Sequence, residues 1–425
     1  MTRRIRVCVF MVWSIVLLGV VYNVFFTAKK PTSSSSTRVN RMKPLSQELI
    51  REMGKENSSL GLNAAAEHKQ DGVNTIIVTG LTGETEQTLR KSSEPAKFQI
   101  FKDIGDQLIF YDHVLHSIPW KQNLRNLAKF REKLVNQTNS TFQDEFVLTH
   151  HNAKVGDNLP YSLDNWKAVN NPNKKNFYKI SDTFFAEDVS APISPLSGKR
   201  FKRCSVVGNG GILFDSKCGK EIDQSDYVIR LNLPVMRPHT EDAGWKTNLT
   251  TMNPSLVIRR FNSLKTKEGA DEFVKAIGDF HGILWLPCVA ATIMSDLCFK
   301  AKHTLDEYDV RNPKPIMANP SHFLALIDFW KERTITQFLS SGFYITHLAL
   351  TMCEETHLYG FWPFPYRVPD RVTDTGTNMM RKVKYHYFDQ IKISKKAHSM
   401  NDEFAVLLQM HVLGLLKLHV RDCGV

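Results

Sequence analysis

Several familiar signatures are missing from this sequence. It has no CxxC pair and no His/Cys cluster at ligand spacing, which argues against a structural zinc site. It has no internal repeat, which argues against a repeat architecture. Neither GxGxxG nor a P-loop occurs, so no dinucleotide or ATP fingerprint is present. Acidic residues are in deficit: 43 Asp and Glu face 55 Lys and Arg, a formal charge of +12 at pH 7. That excess suits anionic partners, whether nucleic acid, anionic lipid or an acidic substrate, and equally a solvated basic surface. Apolar residues at 42% and charged residues at 23% are ordinary for a globular protein, and 425 residues exceed one typical domain. One large domain with non-globular flanks is expected.

Long apolar runs are scarce too. The exception is Val7 to Phe26, 20 residues interrupted only by Ser14, Tyr22 and Asn23. A helix of that length rises about 30 Å, enough to cross a bilayer core. Arg3, Arg4 and Arg6 precede it and Lys29 and Lys30 follow, a slight bias towards a cytosolic N-terminus. No A-x-A-like cleavage site follows Phe26, so an uncleaved signal-anchor is expected rather than a removable signal peptide. The expected layout is a cytoplasmic tail over 1–6, a transmembrane anchor over 7–26, a lumenal stem over 27–95 and a catalytic domain over 96–425. The stem contains the low-complexity run Pro31 to Thr37, which cannot build a core. Four N-x-S/T sequons, at Asn57, Asn136, Asn139 and Asn248, agree with a lumenal location. Of seven cysteines, Cys8 lies in the apolar run. The others, Cys204, Cys218, Cys288, Cys298, Cys353 and Cys423, are even in number, as disulfides in an oxidising compartment require.

Leu124, Leu127, Phe130 and Leu134 recur at helical spacing. Strand candidates are Cys204–Val207, Tyr227–Asn232 and Ile283–Pro287. Gly342–Cys353 reads as a buried helix and His357–Phe361 as a strand entering a loop. Strands alternating with helices predict an α/β fold, a Rossmann-like, mostly parallel sheet flanked by helices.

The first strand runs straight into Gly208-Asn209-Gly210-Gly211. Glycines after a strand let backbone amides approach a phosphate at the carboxyl edge of a sheet, although a plain turn has the same composition. The Asp-x-Asp triplet that holds the metal in many nucleotide-sugar transferases is absent. Phosphate charge would then fall to hydrogen-bond donors, helix dipoles and histidine. Tyr385-His386-Tyr387-Phe388-Asp389 sets one histidine among aromatics. His398 follows, with Glu403 five residues on. A histidine can act as general base near neutral pH, but i,i+5 does not place two residues on one helix face.

Together these segments resemble the animal sialyltransferases, glycosyltransferase family 29, which share four motifs in fixed order. The large motif resembles Cys204 to Ser255, with CSVVGNGGIL, CGKEIDQSDYVIRLNLP and TMNPS. The small motif resembles Ser340 to Phe364. The third resembles His386 to Asp389, and the very small motif, His-x4-Glu, resembles His398 to Glu403. GNGGIL, CGKEID, LNLP, YGFWPF and YHYFD are most similar to the α2,8-sialyltransferase branch. The chain lacks a strongly basic stretch before the small motif, where Asp306, Glu307, Asp309 and Asp328 stand among the bases. Addition of one or a few sialic acids is expected rather than long polymers.

The resemblance implies a set of roles. Asn209 and Asn232 would bind the CMP moiety and its phosphate. Asn253, Pro254 and Ser255 would line the nucleotide pocket. Ser340, Ser341 and Gly342 would contact the donor, and Phe361 and Trp362 would wall the site. His386 would donate to the leaving phosphate, His398 would take the acceptor proton, and Glu403 would support His398. The resemblance also implies disulfides Cys204–Cys353 and Cys218–Cys423. Cys288 and Cys298 lie outside those pairs and are read as an additional local bond. The implied reaction is an inverting, metal-independent transfer of sialic acid from CMP-sialic acid to a sialylated glycan on a glycoprotein or glycolipid, at a Golgi membrane. No cofactor, metal or nucleic acid is implied, and a homodimer is left open. Two alternatives remain: a different linkage, such as α2,6 to N-acetylgalactosamine, and an inactive membrane-anchored glycan-binding protein.

Overall fold

The computed structural model describes residues 67–70, 73–76, 104–116, 119–138, 141–189, 191–333, 335–368, 380–390 and 398–423. The expected tail and anchor, Asn57 and Asn139 lie outside these residues. Among the described residues no helix is long and apolar enough to cross a membrane. The chain divides into two compact units, Met1–Lys102 and Asp103–Val425. In the first unit an antiparallel hairpin, Glu67–Gln70 with Val73–Ile76, falls in the stretch read as stem.

The second unit is built on a seven-stranded sheet. Its strands are β1 (Phe201–Val207), β2 (Tyr227–Arg230), β3 (Leu249–Thr251), β4 (Ile283–Leu286), β5 (Lys314–Met317), β6 (Cys353–Tyr359) and β7 (Lys417–His419). Their order in the sheet is β7-β6-β1-β2-β3-β4-β5. Every neighbouring pair is parallel. The central strands are buried on both faces: Cys204 to Val207 and Tyr227 to Arg230 all lie inside. This explains their unbroken apolar runs, since a parallel sheet is covered by helices on both sides. The expected α/β class is what forms, with β3, β5 and β7 added to the strands read from sequence.

The chain builds outwards from β1 to β5, then crosses back to lay β6 on the other side of β1. The sheet therefore has a switch point between β1 and β6, where successive connections leave in opposite directions and a crevice opens at the strands' carboxyl ends. The helix Ser341–Met352 leads into β6 and is buried from Gly342 to Met352. A helix apolar all round has to sit inside a large core. Its Tyr344 stacks with Phe146 and Trp285 at centroid distances of 5.8 and 5.7 Å.

Three disulfides staple this scaffold. Cys204–Cys353 links β1 to the first residue of β6, Cys218–Cys423 ties the C-terminal tail to the turn after β1, and Cys288–Cys298 closes the loop after β4.

Candidate active site

The crevice between β1 and β6 is lined by two turns packed backbone to backbone. Gly208 N–H donates to the Tyr359 carbonyl at 2.7 Å, and Gly210 N–H to the Gly360 carbonyl at 2.9 Å. A Cβ on Gly208 would stand 2.7 Å from the Gly360 oxygen, and Gly360 itself has φ +71°. Only glycine permits that approach and that conformation. The same turn pairs with the segment that carries His386. Gly211 N–H donates to the Tyr385 carbonyl at 3.2 Å, and Tyr387 N–H to the Asn209 carbonyl at 3.1 Å. The glycine-rich turn thus fixes the backbone on both sides of His386.

The His386 ring lies between Tyr385 and Phe388, with centroids at 4.5 and 5.3 Å. Its Nδ1 donates to the Asp389 carboxylate at 2.9 Å. That bond orients the ring and leaves Nε2 without a partner among the described residues. Arg260 is within electrostatic reach of Asp389, and Arg259 of Tyr385, so two cations stand near this segment.

The second wall is the start of the helix Ser341–Met352. Ser340 caps it, its Oγ accepting the Phe343 N–H at 3.1 Å. Gly342 faces Leu231 and Phe361, and Phe361 also lies against Gly208. The helix N-terminus, with its partial positive charge, therefore meets the glycine turn across Phe361. Glu403 is buried and holds this cap. One carboxylate oxygen accepts the Ser340 N–H and the other the Ser340 hydroxyl, each at 2.6 Å. Burial pushes the Glu403 carboxyl up to about 7, against the opposing pull of those bonds.

His398 is held just outside the cap. Its Nδ1 lies 2.8 Å from the Phe338 carbonyl. A carbonyl only accepts, so Nδ1 carries the proton and Nε2 keeps its lone pair. Burial holds the imidazole below its ordinary value, which favours the neutral ring. A neutral histidine with an anchored Nδ1–H has the arrangement of a general base.

A match to the family model of glycosyltransferase family 29 (sialyltransferase) spans residues 147–415. The chain belongs to glycosyltransferase family 29, the sialyltransferases. The chain is 34% identical to human "Alpha-2,8-sialyltransferase 8F" over 73% of its length and 72% of that protein. It is 32% identical to the Xenopus laevis "Alpha-N-acetylneuraminide alpha-2,8-sialyltransferase" over 65% of its length and 71% of that protein. A solved mammalian sialyltransferase in complex with Gal-beta-1-3GalNAc-ortho-nitrophenol aligns with 71% of this chain and 96% of that one, at 20% identity and a TM-score of 0.45.

Within this sialyltransferase, two expected roles need correction. Glu403 does not support His398, because both its oxygens are committed to Ser340 and the support comes from the Phe338 carbonyl. Trp362 does not wall the cleft. It is 5% exposed, donates its indole N–H to the Tyr366 carbonyl, and packs its ring against Phe364 and Phe404. Asn209 has one of its two amide hydrogens committed. Its Nδ2 donates to the Leu231 carbonyl at 2.9 Å, and its Oδ1 is a buried acceptor without a partner. A ligand hydroxyl or amine would satisfy that oxygen; a phosphate oxygen would not.

The other residues fall as follows. Asn232 sits at φ +61° just past Leu231 at the end of β2, and its Oδ1 accepts the Asn253 N–H at 2.9 Å, leaving Nδ2 to a ligand. Asn253 and Pro254 open the helix Pro254–Arg260, where the Ser255 Oγ accepts from Arg259 at 3.0 Å. Ser341 is half-buried at the start of its helix. Of the described sequons, Asn136 is exposed, whereas Asn248 is half-buried with its Oδ1 accepting the Val228 N–H at 2.8 Å.

Phe338, Arg259 and Arg260 escaped sequence reasoning. A backbone carbonyl carries no side-chain signal. The paired arginines were legible only as part of the general basic excess.

Among the described residues one trio has metal-ligating side chains in proximity: Glu221, His357 and His419. The Arg203 guanidinium and the Tyr359 hydroxyl already donate to Glu221, at 2.9 and 2.8 Å. Burial pushes His357 down to about 3, with Arg203 and Lys417 adding to it. A cation beside the carboxylate and committed lone pairs fit a structural network on the sheet better than a ligand set.

Proposed function

We propose that this chain transfers sialic acid from CMP-sialic acid to a hydroxyl of a terminal sialic acid on a glycan, forming an α2,8 linkage, as the names of its relatives state for those proteins. The observation that carries the reading is His398: a neutral imidazole, anchored through Nδ1 to the Phe338 carbonyl, beside the crevice where the glycine turn and the capped helix meet.

The reaction is a single displacement with inversion. The acceptor oxygen bonds to the anomeric carbon while the bond from that carbon to the phosphate oxygen breaks, and CMP leaves with the electron pair. His398 Nε2 takes the acceptor proton. With both ring nitrogens protonated, Nδ1–H on Asp389 and Nε2–H towards the phosphate, His386 joins the amides at the start of the helix Ser341–Met352 in meeting the charge that grows on CMP. These donors supply phosphate stabilisation without a metal, so we read the reaction as metal-independent. The Asn209 Oδ1, Asn232 Nδ2 and Ser341 hydroxyl are the polar atoms offered to the donor's nucleotide and sugar.

Short products fit better than long polymers. Acids before the small motif pair with their neighbours, Asp306 with Lys302 and Asp309 with Arg311, so no purely basic track forms there. We read the chain as a Golgi type II membrane protein, a reading supported by the apolar run Val7–Phe26 and by three disulfides that suit an oxidising lumen.

The test is transfer from CMP-sialic acid to a panel of sialylated and asialo glycans, with linkage analysis of each product and EDTA in a parallel series. An α2,8 product on sialylated acceptors only, at equal rate in EDTA, is expected. Transfer to asialo acceptors through another linkage would overturn the assignment, and loss in EDTA restored by Mn²⁺ would overturn the metal-free step.

A further inference from the structure

The acceptor's seat is not defined by any motif residue above, and one cluster beside His398 is unaccounted for. The Phe338 ring stacks on His398 with centroids 6.0 Å apart and planes at 29°. On its other flank the indole of Trp166 stands 5.7 Å from Phe338. One ring thus separates Trp166 from the general base. Phe338 is buried, whereas Trp166 is only half-buried and presents aromatic surface to solvent.

Trp166 is rigidly placed. It sits on the short helix Ser162–Lys167, whose Leu163 N–H donates to the Ala290 carbonyl at 2.8 Å and Ser162 N–H to that of Val289 at 3.3 Å. The Asp164 carboxylate accepts both the Thr292 N–H at 2.9 Å and the Thr292 hydroxyl at 2.8 Å. These bonds clamp the helix to the loop after β4, on the carboxyl edge of the sheet where the crevice opens. A large indole on a fixed frame, left half-exposed beside the general base, is more than core packing requires.

The charge of this segment is one-sided. Between Pro160 and Ile180 the sole acid is Asp164, already engaged with Thr292, while Lys167, Lys174, Lys175 and Lys179 are all exposed and none pairs with a described acid.

We propose that Trp166 is the stacking platform for the acceptor glycan, and that the lysines of the 160–180 segment attract its sialic acid carboxylate. The proposal rests on the α2,8 reading above, since it takes the acceptor to be anionic. With the attacking hydroxyl at His398 Nε2, the rest of the acceptor extends past Phe338, and the apolar face of a sugar ring meets the indole. An exposed ring selects by shape and tolerates varied hydroxyl patterns in a way that hydrogen-bonding residues do not, which suits binding of a flexible glycan.

The experiment uses the full-length chain in detergent with sialyllactose as acceptor. Trp166→Ala is expected to raise the acceptor KM about tenfold or more, with the KM for CMP-sialic acid and the calorimetric Kd for CMP unchanged. Trp166→Leu, which keeps apolar packing on Phe338 but has no ring face, should show the same loss, and Trp166→Tyr should recover most of it. The doubly substituted Lys174→Glu/Lys175→Glu should raise the acceptor KM and flatten its dependence on salt. An acceptor KM within twofold of wild type for both Trp166→Ala and Trp166→Leu, in protein that still binds CMP, overturns the platform. Equal increases in the acceptor KM for Trp166→Tyr and Trp166→Leu also overturn it, since the ring then contributes nothing. A wild-type enzyme that transfers to asialo but not to sialylated acceptors would instead bring down the α2,8 reading, and this proposal with it.

Discussion

Replacing His398 by alanine tests the chemistry most directly. Its Nδ1–H is spent on the Phe338 carbonyl and its ring is held neutral by burial, so Nε2 is available for one task, removing the acceptor proton. General base catalysis is worth about 10² to 10⁴-fold, or about 3 to 5 kcal/mol of barrier. His398→Ala should therefore lower kcat by that factor. The Kd for CMP should stay near wild type, because the elements assigned to the nucleotide lie on the glycine turn, β2 and the capped helix. His398 is also the group that should shape the acid side of the rate profile. Burial holds it below the ordinary imidazole value, so the acid limb of the profile should lie at lower pH than a free imidazole would give. The assay is release of CMP and formation of product from CMP-sialic acid and a sialylated acceptor, paired with calorimetry of CMP. Wild-type turnover in His398→Ala would refute the base assignment. A loss of turnover matched by an equal loss of CMP binding would refute it too, since the ring would then be structural.

Three further outcomes follow from the packing. Glu403 is raised from 4.5 to about 7, so the native state holds a proton that the unfolded chain has released. Its contribution to stability is present in full below pH 4.5 and is lost as pH rises through about 7, a change of about 3 kcal/mol; Glu403→Gln should remove that slope between about pH 5 and 8 in denaturant titrations, and identical slopes would contradict the burial argument. Gly211→Ala would drive a Cβ into the Lys384 backbone and part the turn from the His386 segment. It should destabilise by about 1 to 3 kcal/mol and reduce turnover, and a fully active Gly211→Ala enzyme would show the pairing to be dispensable. Removing Cys218–Cys423, whose ends are separated by 205 in sequence, should cost about 5 kcal/mol in thermal unfolding against about 3 for Cys288–Cys298, separated by 10. Equal costs would count against the chain-entropy account.

The linear chain was enough for the α/β class, the strand–glycine turn after Val207, the buried helix after Ser340 and the order of the four motifs. Each of these is a local pattern: apolar runs of strand length, glycines at a fixed offset, a helix apolar on every side. The strands β3, β5 and β7 were not visible, because Leu249–Thr251 and Lys417–His419 span only three residues and Lys-Pro-Ile-Met has the look of a loop. They become strands through pairing with neighbours already in the sheet. Motif membership named His398 and Glu403 together, but it could not say which groups they touch. Only folding could set Glu403 on Ser340, 63 residues away, and His398 on the Phe338 carbonyl, 60 residues away. The same holds for the helix Ser162–Lys167 and its Trp166, which belongs to no motif and stands out only when the ring of Phe338 is seen between it and the base. Composition and periodicity record what each segment prefers alone. Side-chain partners across long separations depend on how the sheet is wound, and that is decided only when the whole chain is packed.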